Sequence, residues 1–425
     1  MTQTMSALNV TPAADPGRWP DIAAVPRCPF RGSVAQALFT RTADRLPVRV
    51  AGPAGVAFGA GDKASPVLVL HRPDDFYQRI GAAGLIGFGE SYMAGDWDCD
   101  DLPGLLTAFA SRVSTLVPRP LQPLRRFYVR RAPAADDASE GNARSNIHRH
   151  YDLSNELFAL FLDETMTYSA GLFREDGDGA PIAAGILLAD AQRRKIDRLL
   201  DLAGVGPSSR VLEIGTGWGE LAIRAAARGA QVLTVTLSEE QRALAAERIG
   251  RAGLAGRAVV ELRDYRQVTG EFDAILSVEM IEAVGERYWP DYFAALGRLL
   301  APGGRIGLQS ITMPHRRMMA TRYTHTWVLK YIFPGGLIPS ATAIERNASR
   351  VGLRVAGRLD FGAHYAETLR LWREWFCAAE AEIALLGFDE VFRRMWLLYL
   401  CYAEAGFRSR YLDVAQFLLV KEDRS

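Results

Sequence analysis

From about residue 147 onward, short apolar runs alternate with stretches whose apolar positions recur every three to four residues. The runs are RVLEIG (210–215), QVLTVTL (231–237), AVVELRD (258–264), FDAILSVEM (272–280) and RIGLQSI (305–311). Between them lie ELAIRAAARG (220–229), EEQRALAAERIGRAG (239–253) and WPDYFAALGRLLAPGG (289–304). The first set has the length and β-propensity of buried strands, the second the period of amphipathic helices. Their alternation predicts an α/β fold, a doubly wound parallel sheet with helices on both faces. Ligands of such folds bind at the carboxyl ends of the strands. An aromatic, mostly helical stretch follows, and QFLLVKE (416–422) is expected to close the sheet as its final strand. Trp372, Trp375 and Trp396 sit at helical spacing and read as core.

The first third of the chain has a different texture. Residues 1–32 are rich in Pro, Ala and Thr and read as a flexible lead-in. Residues 33–133 form a smaller α+β unit. It has a hairpin over 48–60, a third strand over 66–73, and helices over 74–86 and 101–113. Its end, 114–133, interleaves Arg119, Arg125, Arg126, Arg130 and Arg131 with Phe127, Tyr128 and Val129. Such a segment suits an anionic membrane surface, or else a solvated basic linker. Residues 134–147 are small and polar and read as a linker, leaving 148–425 as the large domain.

Composition changes this picture little. The 425 residues are 49% hydrophobic and 23% charged, with a net charge of +1. That balance speaks against a dedicated nucleic-acid binder. The cysteines, Cys28, Cys99, Cys377 and Cys401, have no CxxC spacing, so neither a disulfide framework nor a metal site is expected. No apolar run reaches the ~18 residues of a membrane span, and the N-terminus lacks the pattern of a signal peptide. A soluble, cytoplasmic protein is the expectation.

The sharpest local chemistry is VLEIGTGWGEL (211–221). An apolar strand carries Glu213 near its end, then Gly215, Gly217 and Gly219 at GxGxG spacing, then a helix begins. Glycines let the backbone turn sharply and approach a ligand closely. The spacing differs from the GxGxxG of dinucleotide folds. It resembles motif I of class I S-adenosylmethionine-dependent methyltransferases, which implies a Rossmann-like fold. At the end of the second strand, Thr236, Ser238 and Gln241 offer hydroxyl and amide groups for ribose hydroxyls. Asp264, after the third strand, is placed to accept from an adenine amino group. Ser238 and Asp264 also read as helix caps, and both roles can hold at once.

Further stretches match a narrower family: HYDLSNELFALFLDETMTYSAGLF (150–173), SVEMIEAVG (277–285), YIFPGGLIPS (331–340) and HYAETLRLW (364–372), with GFGESYMAGDWD (87–98) upstream. Together they resemble the cyclopropane-fatty-acyl-phospholipid synthases and mycolic-acid methyltransferases. Within them, the chain is most similar to an actinobacterial branch that methylates oleoyl chains toward 10-methylene and tuberculostearic-type fatty acids. The resemblance implies S-adenosylmethionine, an unsaturated phospholipid acyl chain at the inner membrane face, and a homodimer. It also implies a carbocation whose proton is taken by bound bicarbonate, and, for a methylene product, a separate reductase.

Carried over residue by residue, the bicarbonate site falls on Glu282, Tyr365 and the backbone of Ile311. Two positions depart: Ala170 stands where a cysteine is usual, and Gln309 where a histidine is usual. Tyr168 and Ser169 fall on the cofactor side, with Glu213, Gly215, Gly217, Thr236, Gln241 and Asp264. Glu282 is expected to matter for turnover more than for cofactor binding. Glu279, three residues earlier, is set aside, and His150 and His364 are given no role. The family pattern also allows some tail tryptophans to line an acyl tunnel. Two other functions keep the same residues: methyl transfer to oxygen or nitrogen of a small molecule, and a lipid-binding protein that kept the cofactor pocket without the chemistry.

Overall fold

The central strand of the large sheet, β7 (Arg210–Ile214), is buried from Val211 to Ile214, as a strand covered on both faces must be. It belongs to a computed structural model that describes residues 14–53, 55–112, 154–176, 179–182 and 188–422. The basic segment 114–133, the linker 134–147 and His150 lie outside the described residues. The strands before β7 are β1 (Arg49–Gly52), β2 (Gly55–Phe58), β3 (Val67–Leu70), β4 (Trp97–Cys99), β5 (Arg174–Glu175) and β6 (Pro181–Ile182). After it come β8 (Gln231–Thr236), β9 (Ala258–Leu262), β10 (Phe272–Val278), β11 (Leu300–Thr312), β12 (Leu353–Asp360) and β13 (Asp413–Lys421).

The seven-stranded sheet has the order β12-β13-β11-β10-β7-β8-β9. Strands β7 to β11 run parallel, while β13 is antiparallel to both β11 and β12. The final strand therefore does not close an edge. It slots between β11 and β12, and β12 lies in a stretch read from sequence as helical. Both faces are covered. Helix Trp289–Leu299 presses Trp289, Tyr292, Phe293 and Leu296 onto one face. Helices Leu188–Leu202 and Glu220–Ala227 press Ile196, Leu199, Leu221 and Ala225 onto the other. The strand order reverses at β7, whose neighbours are β8 and β10, so a crevice opens beyond the carboxyl ends of β7 and β10.

Contacts divide the chain into two compact units: Met1–Val129 with Ala379–Ala405, and Arg130–Ala378 with Gly406–Ser425. The first thus takes in a segment that chain order alone assigned to the large domain. Its sheet runs β2-β1-β3-β4. The lead-in is not featureless there: helix Pro29–Ala43 begins within it, and Ile22 is buried. Buried Arg79 organises this packing. It donates to Asp96 at 3.0 Å and to the carbonyls of Asp21, Ile22 and Ala24 at 2.9, 2.6 and 3.2 Å. Arg79→Met leaves Asp96 a poorly compensated buried charge, and destabilisation by about 3–5 kcal/mol is expected in chemical unfolding. A change below ~1 kcal/mol would show that Arg72, which also pairs with Asp96, suffices.

Candidate active site

Glycines 215, 217 and 219 all adopt positive φ, at 94°, 52° and 91°. The chain leaving β7 can therefore fold under the crevice and enter helix Glu220–Ala227 with Gly219 as its N-cap. A Cβ on Gly217 would meet nothing within 4 Å, so this turn faces open space. Behind it, Glu213 is buried, and burial pushes its carboxyl up to about 8. One of its oxygens has no hydrogen-bond partner.

At the end of β8 the Thr236 hydroxyl donates to Gln241 Oε1 at 2.8 Å, and both side chains are buried. Ser238 caps the helix Glu239–Arg251, accepting from the Gln241 amide at 3.2 Å. Asp264 caps the short turn Tyr265–Gln267 and pairs with Arg266, accepting from its Nη2 at 2.5 Å. The capping readings of Ser238 and Asp264 therefore hold, and Asp264 meets any ligand with Arg266 already beside it.

Tyr168 stacks on Trp372 with centroids 5.2 Å apart and meets Phe158 edge-on at 5.2 Å. Phe158 in turn packs on Trp218 of the glycine loop at 4.9 Å. Trp372 is fully buried, so one of the tail tryptophans does belong to this aromatic wall. The Ser169 hydroxyl accepts from Lys195 Nζ at 2.6 Å. Burial pulls the Lys195 ammonium down to about 8, with Glu279, Asp163 and Glu213 opposing.

The carboxylates lie after β10. Glu282 Oε1 accepts from the Ile311 amide at 2.6 Å and from the Ser310 hydroxyl at 2.9 Å, while its other oxygen is buried without a partner. Burial, with Glu279 beside it, pushes its carboxyl up to about 8. Glu279 stands at φ 50° and takes a larger set of donors. Its Oε1 accepts from the Ala170 amide at 3.0 Å and Gln309 Nε2 at 2.8 Å, and its Oε2 from the Tyr365 hydroxyl at 2.6 Å. The amide of Gln309 cannot flip. Arg198 donates to Gln416 Oε1, Gln416 Nε2 donates to Gln309 Oε1, and Gln309 Nε2 is thereby aimed at Glu279.

A family model described as mycolic acid cyclopropane synthetase matches residues 138–417. The chain belongs to the mycolic acid cyclopropane synthetase family. Tuberculostearic acid methyltransferase UfaA1 of Mycobacterium tuberculosis is 56% identical over 425 residues, covering 99% of this chain and 98% of that protein. The cyclopropane-fatty-acyl-phospholipid synthase of Escherichia coli is 33% identical over 374 residues, covering 88% and 92%. Among solved structures, the cyclopropane synthase MmaA2 from Mycobacterium tuberculosis superimposes with a TM-score of 0.59 at 31% identity, over 65% of this chain and 98% of that one. The α/β class I methyltransferase fold expected from the glycine loop is the fold of this family member.

In this cyclopropane synthetase relative, the residues expected on the cofactor side fit S-adenosylmethionine. The open glycine turn, the Thr236–Gln241 pair and the unused Glu213 oxygen offer room, ribose partners and an acceptor for an ammonium. The bicarbonate set does not fit its expected role. Ala170, Gln309 and Tyr365 converge, but on the Glu279 carboxylate, and only Ile311 reaches Glu282. The donors assigned to a separate anion are already engaged by a side chain of the protein. His364 proves structural: its Nδ1 accepts from the Phe173 amide at 3.0 Å, so Nε2 carries the proton and donates to Glu175 at 3.1 Å. Sequence reading set Glu279 aside and did not single out Lys195 and Gln416. Only Glu279 carried a signal, as an acid at the carboxyl end of a buried strand.

Proposed function

We propose that this chain is an S-adenosylmethionine-dependent methyltransferase acting on the cis double bond of unsaturated acyl chains in phospholipids. The product proposed is a 10-methylene acid, the precursor of a tuberculostearic-type branch. The similarity along 99% of the chain to a tuberculostearic acid methyltransferase carries this reading. The site supports it, because an alkene is a weak nucleophile and its cation must be kept from water.

When bound, S-adenosylmethionine supplies an electrophilic methyl group to the alkene. The protein's own residues do the rest. Gly215 and Gly217 let the backbone approach the cofactor, and Thr236 and Gln241 hold its ribose. Tyr168 and Tyr365 pack on the buried Trp372, and this aromatic wall excludes water and tolerates positive charge. A substrate embedded in lipid places the reaction at a membrane surface. Among the described residues no helix is long and apolar enough to cross a membrane. A homodimer, and a separate reductase to saturate the methylene group, belong to the same proposal.

The deciding assay uses labelled methyl donor and oleoyl phospholipid vesicles, with fatty acid methyl esters read by mass spectrometry. A labelled product whose exocyclic double bond is consumed on hydrogenation is expected. A labelled ring would make the chain a cyclopropane synthase, and no labelled lipid would overturn the reading. Thr236→Val removes the hydroxyl that orients Gln241, and should weaken cofactor binding by about 1 kcal/mol, roughly fivefold in Kd. An unchanged Kd in calorimetry would take the ribose role away from this pair.

A further inference from the structure

Glu279 lies two residues past Ser277, which pairs with Ile214 at the end of β7. It therefore sits at the crevice where the strand order reverses. Its neighbour Met280 lies against the glycine loop, since a Cβ on Gly215 would stand 3.3 Å from Met280 Cγ. A glutamate at positive φ is uncommon, and such strain collects at functional sites. The fold holds it by donors from three separate segments: the Ala170 backbone, Gln309 of β11, and Tyr365 of helix Gly362–Ala378.

We propose that Glu279 is the catalytic base of this enzyme and takes the place of an exogenous bicarbonate. The assignment rests on the methyl-transfer reading above. After methylation and migration of hydride to the neighbouring carbon, the positive charge sits on the carbon that bears the new methyl group. One C–H bond of that methyl breaks, its electron pair becomes the exocyclic C=C bond, and the proton moves to a Glu279 oxygen. The sulfur keeps the electron pair of the C–S bond broken earlier, so charge and atoms balance. The proton is released to solvent after the product leaves.

The charge of Glu279 raises the Glu282 carboxyl, so the two compete for a proton and their surroundings decide which holds it. Burial raises both. For Glu279 the hydrogen bond from Tyr365, the charge of Lys195, and the donors Ala170 and Gln309 oppose that rise. Glu282 has fewer donors and an unpartnered oxygen, and is pushed up to about 8. Of the two, Glu279 is therefore the carboxyl whose ionised form the fold favours, and Glu282 the one better left protonated. The departures at 170 and 309 follow from the same arrangement. A backbone amide serves at 170 whatever the side chain. At 309 an amide donates without competing for the proton, as an imidazole would.

The test uses the purified full chain, labelled methyl donor and oleoyl phospholipid vesicles, in buffer stripped of carbon dioxide and in buffer with added bicarbonate. The parent is expected to turn over equally in both. Glu279→Gln should lose about 10²–10⁴-fold in turnover, the usual contribution of a general base, while calorimetry shows cofactor binding retained. Methylated products carrying a hydroxyl should appear in that variant, from cations captured by water. Glu279→Ala vacates a place lined by the same donors, so added formate or bicarbonate should restore part of its activity.

A parent that loses activity without bicarbonate would overturn the assignment, and so would a Glu279→Gln enzyme as fast as the parent. Loss of cofactor binding in both variants would mark Glu279 as a structural residue and overturn it too. A parent that labels no lipid would instead overturn the methyl-transfer reading, and the base with it.

Discussion

Tyr365→Phe lowers turnover by roughly 10- to 100-fold and moves the acidic limb of the pH–rate profile upward. The lost hydroxyl donates at 2.6 Å to the buried Glu279 carboxylate. A hydrogen bond to a charged group is worth about 1.5–3 kcal/mol, which sets the range of the rate loss. The direction of the pH effect follows from which form the bond favours. Burial raises the Glu279 carboxyl above its ordinary value, and the Tyr365 hydroxyl works against that rise by stabilising the ionised form. Without it the carboxyl rises further. A base acts only when ionised, so activity that falls with decreasing pH begins to fall at higher pH in the variant. The ring itself stays: Tyr365 packs on Phe407 with centroids 4.5 Å apart, and phenylalanine keeps that contact. A stopped assay across pH, with thermal unfolding as a control, checks this. An unmoved limb would separate Tyr365 from the ionisation that governs the rate.

The second large effect is expected at the glycine loop. Gly215→Val should weaken cofactor binding by about 10- to 100-fold, because holding a β-branched residue at positive φ costs roughly 1–3 kcal/mol. Gly215 stands at φ 94°, and its new Cβ would lie 3.3 Å from Met280 Cγ. The same push is transmitted to the residue next to Glu279, so turnover should fall as well as affinity. Gly217→Ala makes the comparison. Gly217 is at φ 52°, near the left-handed region other residues reach, with nothing within 4 Å of its new methyl group. It should bind the cofactor distinctly better than Gly215→Val. Equal losses in calorimetry would mean that the loop tolerates no side chain at all, for reasons other than strain and the Met280 contact.

Much of this protein was legible along the chain because its signals are local. The apolar runs that became β7, β8, β9, β10 and β11 announce themselves by length and β-branching. The glycine loop is a motif of consecutive residues, so its strand, turn and helix could be placed without knowing their neighbours. The aromatic tail was harder. Strand β12, LRVAGRLD, alternates exposed positions with partly covered ones and carries Arg354, Arg358 and Asp360 among the exposed, so it lacks the continuous apolar run of a strand buried on both faces. That β13 inserts between β11 and β12 depends on pairings between distant segments, which no local window contains.

The choice between two glutamates shows where sequence stops. Glu279 and Glu282 share one motif, three residues apart, and the chain alone offers no ground for preferring the first. Local chemistry placed the glycine loop at the carboxyl end of its strand, while the carboxylate, the tyrosine and the amide were named through the resemblance of their motifs to the family. Tertiary structure decided which carboxylate they serve. Donors 109, 30 and 86 residues away in the chain converge on Glu279. The physical reason is that a buried charge is tolerated only where the fold satisfies it. That satisfaction is a property of how the sheet, the segment carrying Ala170 and helix Gly362–Ala378 pack together.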